Sequence, residues 1–237
     1  MRQSPTKHAT HALQQVPFFA RLTAEEAAAL AEKLILRRFN TDQVIFHLGD
    51  PGGLLYIITS GKVKISYSNP DGQEALLTIL GPGDFFGELS LLDASPRSAT
   101  AEAIEPTETY TLDGGSFNMF LDNTPGFAHH VLSVMATRIR ILNNQLSDIF
   151  FLDLPARLAR TLLRLADQYG KKSANGGIQI DIALTQTDLA EMTGGTRVSI
   201  NKALGRFRRS KWVEVSGRHF TIRDRDALVN LIQISGG

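Results

Sequence analysis

One stretch of the chain repeats apolar residues with the period of a coiled-coil helix. Its members alternate at spacings of four and three: Ala128, Leu132, Met135, Ile139, Leu142, Leu146 and Ile149. A stripe this narrow is more typical of a seam between two helices than of a helix on a broad core. It predicts a long helix over residues 126–152 and a homodimer joined along that seam. The alternative is a helix that packs only on its own β-domain.

Short apolar runs, about ten residues apart, precede this helix. They are Val44 and Phe46, residues 55–58, residues 63–67 and residues 75–79, with further runs at residues 100–103 and 108–112. Such spacing predicts an antiparallel roll or barrel, closed enough to hold one small ligand. Before the strands, Thr23 and Glu26 form a capping-box signature that predicts a helix through Leu34.

The chain changes character again at Asp153, which can cap a new helix, and Pro155, which is tolerated in a first helical turn. Leu158, Leu162 and Leu165 give this helix one apolar face, and a polar loop follows over residues 171–177. The fold class is therefore α+β, with boundaries that separate a β-roll with an N-terminal helix (1–125), the seam helix (126–152) and a C-terminal domain (153–237).

The C-terminal domain has the pattern of a winged helix-turn-helix. A capped helix over residues 185–192 is followed by the turn Thr193-Gly194-Gly195 and a second helix over residues 196–210. Their apolar positions can form a small core: Leu189, Met192, Ile200, Leu204 and Phe207. Beyond it, two short apolar runs around the turn at residues 216–218 predict a two-stranded wing.

Charge is divided unevenly along the chain. Residues 151–237 contain 14 Lys and Arg against 8 Asp and Glu, a net charge of +6, whereas the remainder has a net charge of −5. Residues 193–213 include six basic side chains and no acidic one: Arg197, Lys202, Arg206, Arg208, Arg209 and Lys211. A solvated helix usually mixes signs, so this bias favours contact with DNA phosphates.

Composition excludes several classes of protein. With no cysteine among its 237 residues, the chain has no disulfide, thiolate zinc site or cysteine-ligated iron–sulfur cluster. No apolar run approaches the ~18 residues needed to cross a bilayer, so we expect a cytoplasmic protein that binds no membrane. No metal site is expected.

A glycine-rich segment has the chemistry of a sugar-phosphate site. Arg97, fixed by the preceding proline, can give an anion two parallel hydrogen bonds, and Gly87 and the N–H groups near Ser98 can complete a nest around it. The segment's leucines at 89, 91 and 92 are expected to provide apolar surroundings. Glu88 would repel the anion, so a neutral donor such as a sugar hydroxyl is its expected partner. The alternative is a salt-bridged surface loop.

Two sequences, Phe86-Gly87-Glu88-Leu89 and Pro96-Arg97-Ser98-Ala99-Thr100, resemble the phosphate-binding cassette of cyclic-nucleotide-binding domains. From residue 16 to residue 224 the chain resembles the cyclic AMP receptor protein (CRP/FNR) family of bacterial transcription regulators. The resemblance implies a double-stranded β-helix, a homodimer, RNA polymerase as a partner and a pseudo-palindromic site in double-stranded DNA. It also implies that Glu88 holds the ribose 2′-hydroxyl and that Arg97 pairs with the cyclic phosphate.

The resemblance also implies a set of nucleotide-binding positions. They are Gly87, Glu88, Leu89, Arg97, Ser98 and Ala99 in the cassette, with Leu142 and Asn143 at the seam, and Thr78 as a further pocket residue. Asn143 can read a purine edge, whereas Leu142 stands where the family usually has Thr. Cyclic AMP (cAMP) is the first expectation and cyclic GMP (cGMP) the second, because Ser98 could donate to a guanine. A ligand-independent regulator is the third.

Residues 196–202 resemble the family's recognition helix. Arg197 stands where the family's guanine-reading Arg lies, and a bidentate contact to guanine is its expected chemistry. Val198 departs from the pattern because a Glu is common there, and Lys202 replaces an Arg. The other expected DNA contacts are Thr187, Thr196, Ser199, Arg206 and Arg218.

Three other classes of protein compete with this interpretation. A haem-based gas sensor on the same scaffold is possible because the chain has six histidines, but none lies in a recognisable ligand pattern. A cupin-like enzyme needs clustered histidines and carboxylates, whereas His47 is the only histidine in residues 40–112. A cyclic-nucleotide-regulated kinase or channel needs a catalytic domain or a membrane span. We therefore predict a regulator and not an enzyme.

Overall fold

The chain divides into two units inside its longest helix. The computed structural model describes Leu13, Val16, Phe19 and residues 22–124, 127–174 and 176–235. The first compact unit is Met1–Ile139 and the second is Arg140–Gly237. The boundary predicted between the β-roll and the long helix falls at Pro125 and Gly126, which lie outside the described residues.

The first unit contains two four-stranded sheets. Its elements are α1 (Ala24–Ala31), β1 (Ile35–Phe39), β2 (Gln43–Phe46), β3 (Leu54–Ser60), β4 (Val63–Ser68), β5 (Glu74–Leu80), β6 (Phe85–Phe86), α2 (Leu89–Leu92), β7 (Thr100–Ala103), β8 (Thr107–Asp113) and α3 (Gly114–Asn123). The strand orders are β1-β8-β3-β6 and β2-β7-β4-β5, and the paired strands are antiparallel. The predicted antiparallel roll is confirmed.

Alternation along β3 builds the core of this unit from both faces of one strand. Leu55 and Ile57 belong to a cluster with Phe117 of α3, whereas Tyr56 and Ile58 belong to a second cluster. Successive side chains of a strand point to opposite faces, so a continuous apolar run indicates burial on both sides. This explains why β3 has the longest buried run among these strands.

Several elements differ from the sequence prediction. The helix expected through Leu34 ends at Ala31, and β1 begins at Ile35. Helix α3 was missed because Gly114 and Gly115 resemble a turn, although the Asp113 carboxylate caps the helix by accepting from the Ser116 N–H at 2.9 Å. The predicted polar loop over residues 171–177 overlaps a strand at Gly170–Lys172, which was missed because it has no apolar residue.

The long helix, α4 (Phe127–Phe151), leaves most of its predicted seam in contact with water. Five of its apolar residues are 53–65% exposed in the single chain: Leu132, Ile139, Leu142, Leu146 and Ile149. Met135 differs because it packs partly buried against the first unit's own core. Among the described residues, no helix has both the length and the hydropathy needed to cross a membrane.

The second unit contains the rest of α4 and a small helical core with a four-stranded sheet. Its elements are α5 (Leu154–Tyr169), β9 (Gly170–Lys172), β10 (Ile178–Ile180), α6 (Gln186–Thr193), α7 (Arg197–Arg209), β11 (Val213–Ser216), β12 (His219–Ile222) and α8 (Arg225–Ser235). The sheet order is β11-β12-β10-β9. Asp153 caps α5 by accepting from the Ala156 N–H at 2.9 Å, as predicted.

The predicted helix-turn-helix is present. Its core residues Leu189, Ile200, Leu204 and Phe207 are buried, and Met192 is half-buried. Gly194 ends α6 in the left-handed conformation at φ 63°, which favours glycine. A Cβ on Gly195 would lie 2.7 Å from a Leu154 methyl group, so this turn packs closely on α5. Strands β11 and β12 form the expected wing.

Candidate functional site

Arg97 lies inside the first unit with its guanidinium bonded to the main chain. Its Nη1 donates to the Gly87 carbonyl at 2.8 Å and to Ser90 Oγ at 3.3 Å, and its Nη2 donates to the Leu54 carbonyl at 2.9 Å. The guanidinium carbon stands 4.2 Å from the centre of the Phe46 ring. The side chain is only 4% exposed, so these contacts hold a cation inside the roll.

Among the described residues this buried cation makes no salt bridge, although the more distant carboxylates of Glu88 and Asp50 still favour its charged form. No carboxylate oxygen there lies within 4 Å of the Arg97 guanidinium, and the buried Nε has no hydrogen-bond acceptor. Burial lowers the pKa of Arg97, because the charged form loses its hydration. A buried charge is stable only when it is paired, so the arrangement favours an anionic ligand.

Gly87 leaves the space in which the guanidinium lies. Its φ of 83° is in the left-handed region, and a Cβ built on it would fall 2.6 Å from Arg97 Nη1 and 2.9 Å from the Leu54 carbonyl oxygen. Any larger residue would have to displace the arginine or the backbone. The sequence predicts a role for Gly87 only through its N–H group, and the structure adds this steric one.

Glu88 has a partner that sequence reasoning missed. Its side chain is buried, and its Oε1 accepts a charge-assisted hydrogen bond from Arg138 Nη1 of α4 at 2.5 Å. Arg138 Nη2 also donates to the Phe85 carbonyl at 2.8 Å, and its guanidinium covers the Phe85 ring at 4.2 Å. The signal available in the sequence was general: a buried carboxylate needs a cation or several donors.

The remaining predicted nucleotide positions are placed differently. Leu89 is 45% exposed and Leu92 38% exposed, so the expected apolar surroundings of the anion were wrong at these two residues. The apolar groups beside the Arg97 guanidinium are the rings of Phe46 and Tyr56, whose centres lie within 6 Å of it. The other predicted positions have no side-chain contact with Arg97 or Glu88. Ser98 is exposed and Ala99 is buried, and Thr78 Oγ1 donates to the Ile79 carbonyl at 3.3 Å. Leu142 and Asn143 are exposed on α4.

The second candidate site is the exposed face of α7. Thr196 caps this helix, since its hydroxyl accepts from the Ser199 N–H at 3.2 Å. The buried residues of α7 lie on one side: Ile200, Ala203, Leu204 and Phe207. The exposed residues on the other sides include all of the helix's cations and Val198: Arg197, Val198, Lys202, Arg206, Arg208 and Arg209.

A cavity of about 390 Å³ brings three predicted DNA contacts together. Thr187 of α6, Arg197 of α7 and Arg218 of the wing all line it, and so do Thr185 and Gln186 at the start of α6. Helix starts present free N–H groups and arginine presents a fork, and both suit phosphate oxygens. Arg206 does not line this cavity and lies farther along α7.

Removal of the α6 cap is expected to weaken the second unit. Thr185 Oγ1 accepts from the Asp188 N–H at 3.0 Å, and the Asp188 carboxylate accepts from the Thr185 N–H at 2.6 Å. We expect Thr185→Ala to lower the free energy of unfolding, measured in urea, by about 1 kcal/mol. Thr187→Ala is the control, because Thr187 is exposed and its change should stay within about 0.5 kcal/mol. Equal midpoints for the two variants would contradict the capping role.

Comparison with known proteins identifies two domains in the chain. Residues 36–124 match the cyclic nucleotide-binding domain, and residues 156–231 match the Crp-like helix-turn-helix domain. The CRP-like cAMP-activated global transcriptional regulator of Mycobacterium tuberculosis is 37% identical over 216 residues, which cover 91% of this chain and 96% of that protein. The cyclic AMP receptor protein of Thermus thermophilus is 32% identical over 188 residues, with coverage of 79% and 83%.

A solved structure has a similar fold. A CRP-family transcriptional regulator from Thermus thermophilus has a TM-score of 0.71 and 26% identity, and the match covers 85% of this chain and 98% of that one. A cyclic nucleotide-binding roll followed by a Crp-like helix-turn-helix defines a DNA-binding transcription regulator and not an enzyme. The chain belongs to the CRP/FNR family of such regulators, as the cassette and the recognition helix predicted.

Proposed function

We propose that the protein is a homodimeric bacterial regulator whose DNA binding is controlled by a cyclic nucleotide, with cAMP as the preferred ligand. The observation that carries the proposal is the buried Arg97 guanidinium, which has no carboxylate within 4 Å in the described chain. The names of two relatives, one called cAMP-activated and the other a cyclic AMP receptor protein, support this choice of ligand. The protein would act in the cytoplasm, with RNA polymerase as a partner.

Different residues of the first unit bind the phosphate and the ribose of the nucleotide. Arg97 neutralises the phosphate, since its Nε has no acceptor and its Nη2 makes a single hydrogen bond, to the Leu54 carbonyl, so an N–H of each is left for an anion. The Gly87 N–H can add a neutral donor to the phosphate. Glu88 accepts from the ribose hydroxyl. Glu88 already accepts a hydrogen bond from Arg138 of α4. A ribose hydroxyl that bonds to Glu88 would therefore alter a contact that holds the long helix.

The long helix supplies the dimer. Its exposed apolar row would otherwise remain in water, and burial of that row against a second copy stabilises the pair. Asn143, which follows Leu142 on α4 and is exposed, can then form hydrogen bonds with the base of a nucleotide bound to its own subunit or to the partner subunit. The two copies of α7 would meet successive major grooves, about 34 Å apart on the pseudo-palindromic site.

Cyclic GMP is the alternative ligand. Ser98 follows Arg97 directly and its side chain is exposed, so its hydroxyl is free to donate to a guanine. Leu142, also exposed, offers only packing where the family usually has a hydroxyl. These two residues favour a weaker preference for adenine than the relatives' names suggest.

Titration calorimetry with cAMP and cGMP, each followed by DNA binding to a random-sequence library, tests the proposal. We expect cAMP to bind more tightly than cGMP and to raise DNA affinity. A ligand shifts the equilibrium only through its different affinities for the two states, so both measurements are needed. Binding of neither nucleotide would overturn the proposed control, and tighter binding of cGMP would reverse the ligand assignment.

A further inference from the structure

Val198 is an apolar side chain on a face of α7 that is otherwise cationic. It is the second residue of that helix, directly after Arg197, and it is 65% exposed. A single exposed apolar residue is ordinary on a protein surface. Val198 is different because the proposed DNA recognition, on which this inference rests, places its end of α7 against the base edges.

The geometry of α7 fixes where Val198 points. Each residue of an α-helix advances about 100° around the axis. The buried residues Ile200, Ala203, Leu204 and Phe207 occupy one side. Counted from that side, Val198 lies almost opposite the core, on one row with Lys202 and Arg209. Its side chain therefore points almost directly away from the core of the second unit.

Two contacts hold the first turns of α7 in position. Thr196 caps the helix through the Ser199 N–H, and the two hydroxyls are 2.9 Å apart. Asn201 Nδ2 donates to Gln186 Oε1 at 3.0 Å, which joins α7 to the start of α6. The Val198 side chain takes part in neither contact. Its side chain is held in a defined direction and is available to a partner.

The chemistry of an isopropyl group restricts what it can read. It has no donor or acceptor, so it cannot recognise the amino groups of cytosine and adenine or the O6 and N7 atoms of guanine. The apolar group that the major groove presents is the C5-methyl of thymine. We infer that Val198 contacts a thymine methyl group in each half-site, close to the guanine proposed for Arg197. This replaces the amino group that a Glu would read at the same position.

Uracil scanning of the binding site tests this contact, because uracil differs from thymine only by that methyl group. DNA sites are first selected from a random library with the full-length protein, in the presence and absence of cAMP. Each thymine of the best site is then replaced by uracil in turn. We expect one position per half-site, within about two base pairs of the selected guanine, at which uracil weakens binding about fourfold.

The variants separate this contact from general DNA binding. Val198→Ala, which loses both methyl groups of the isopropyl side chain, should distinguish thymine from uracil at that position less well than the unaltered protein. Arg197→Ala is the matched control: it should lose the preference for guanine and keep its sensitivity to uracil. Equal affinity of the unaltered protein at every substituted thymine would overturn the inference while DNA recognition stands. Failure to select any DNA would overturn the proposed function, and the inference with it.

Discussion

Arg97→Ala is expected to weaken cyclic-nucleotide binding by roughly 30-fold to several thousand-fold, equivalent to about 2–5 kcal/mol. The substitution removes the cation that neutralises the phosphate in a site from which water is largely excluded. It also leaves the Gly87 and Leu54 carbonyls without the donors that they have now. Titration calorimetry with cAMP measures the loss of affinity directly.

The folding of this variant must be tested as well, because the same guanidinium makes three hydrogen bonds inside the roll. Arg97→Lys retains the charge but loses the planar fork, so it should bind more weakly than the unaltered protein and more tightly than the alanine variant. Arg38→Ala is the control, since it removes an exposed arginine of the same unit that pairs with Glu108. A folded Arg97→Ala protein with unchanged affinity would remove Arg97 from the site.

Local signals explain what the sequence could predict. Strand β3 was found because a continuous apolar run indicates burial on both faces. Strand β4 was found because Val63, Ile65 and Tyr67 alternate with polar residues, although an irregularity between Ile65 and Ser66 leaves Ser66 buried and Tyr67 exposed. The helix-turn-helix was found because its caps, Thr185 and Thr196, are residue types that satisfy free N–H groups at helix starts. Each of these signals lies within a few residues of the feature that it predicts.

The features that were missed depend on partners far along the chain. Glu88 and Arg138 are 50 residues apart, and no local pattern connects a cassette carboxylate to one particular arginine of the long helix. The ring that covers the Arg97 guanidinium belongs to Phe46, on β2, which is an edge strand of the β2-β7-β4-β5 sheet. Contacts of this kind follow from the closed fold and not from spacing.

Leu146→Asp is expected to convert the protein into single subunits and to lower its DNA affinity by about 100-fold or more. Leu146 is 53% exposed in the single chain, so the substitution leaves the folded subunit intact. In the proposed dimer it would bring two carboxylates together at an apolar seam, where neither has a cation to pair with. A subunit alone binds one half-site and loses the advantage of the second.

Sedimentation and DNA binding should change together. The unaltered protein should sediment at about twice the mass of the 26.0 kDa chain, and Leu146→Asp at the mass of one chain. Asn144→Asp is the matched control, because it adds the same charge at an exposed position of α4 that lies off the apolar row. If Leu146→Asp remained a dimer with full DNA affinity, the exposed row would not be the seam. The apolar residues of α4 would then need another partner, because water alone does not stabilise them.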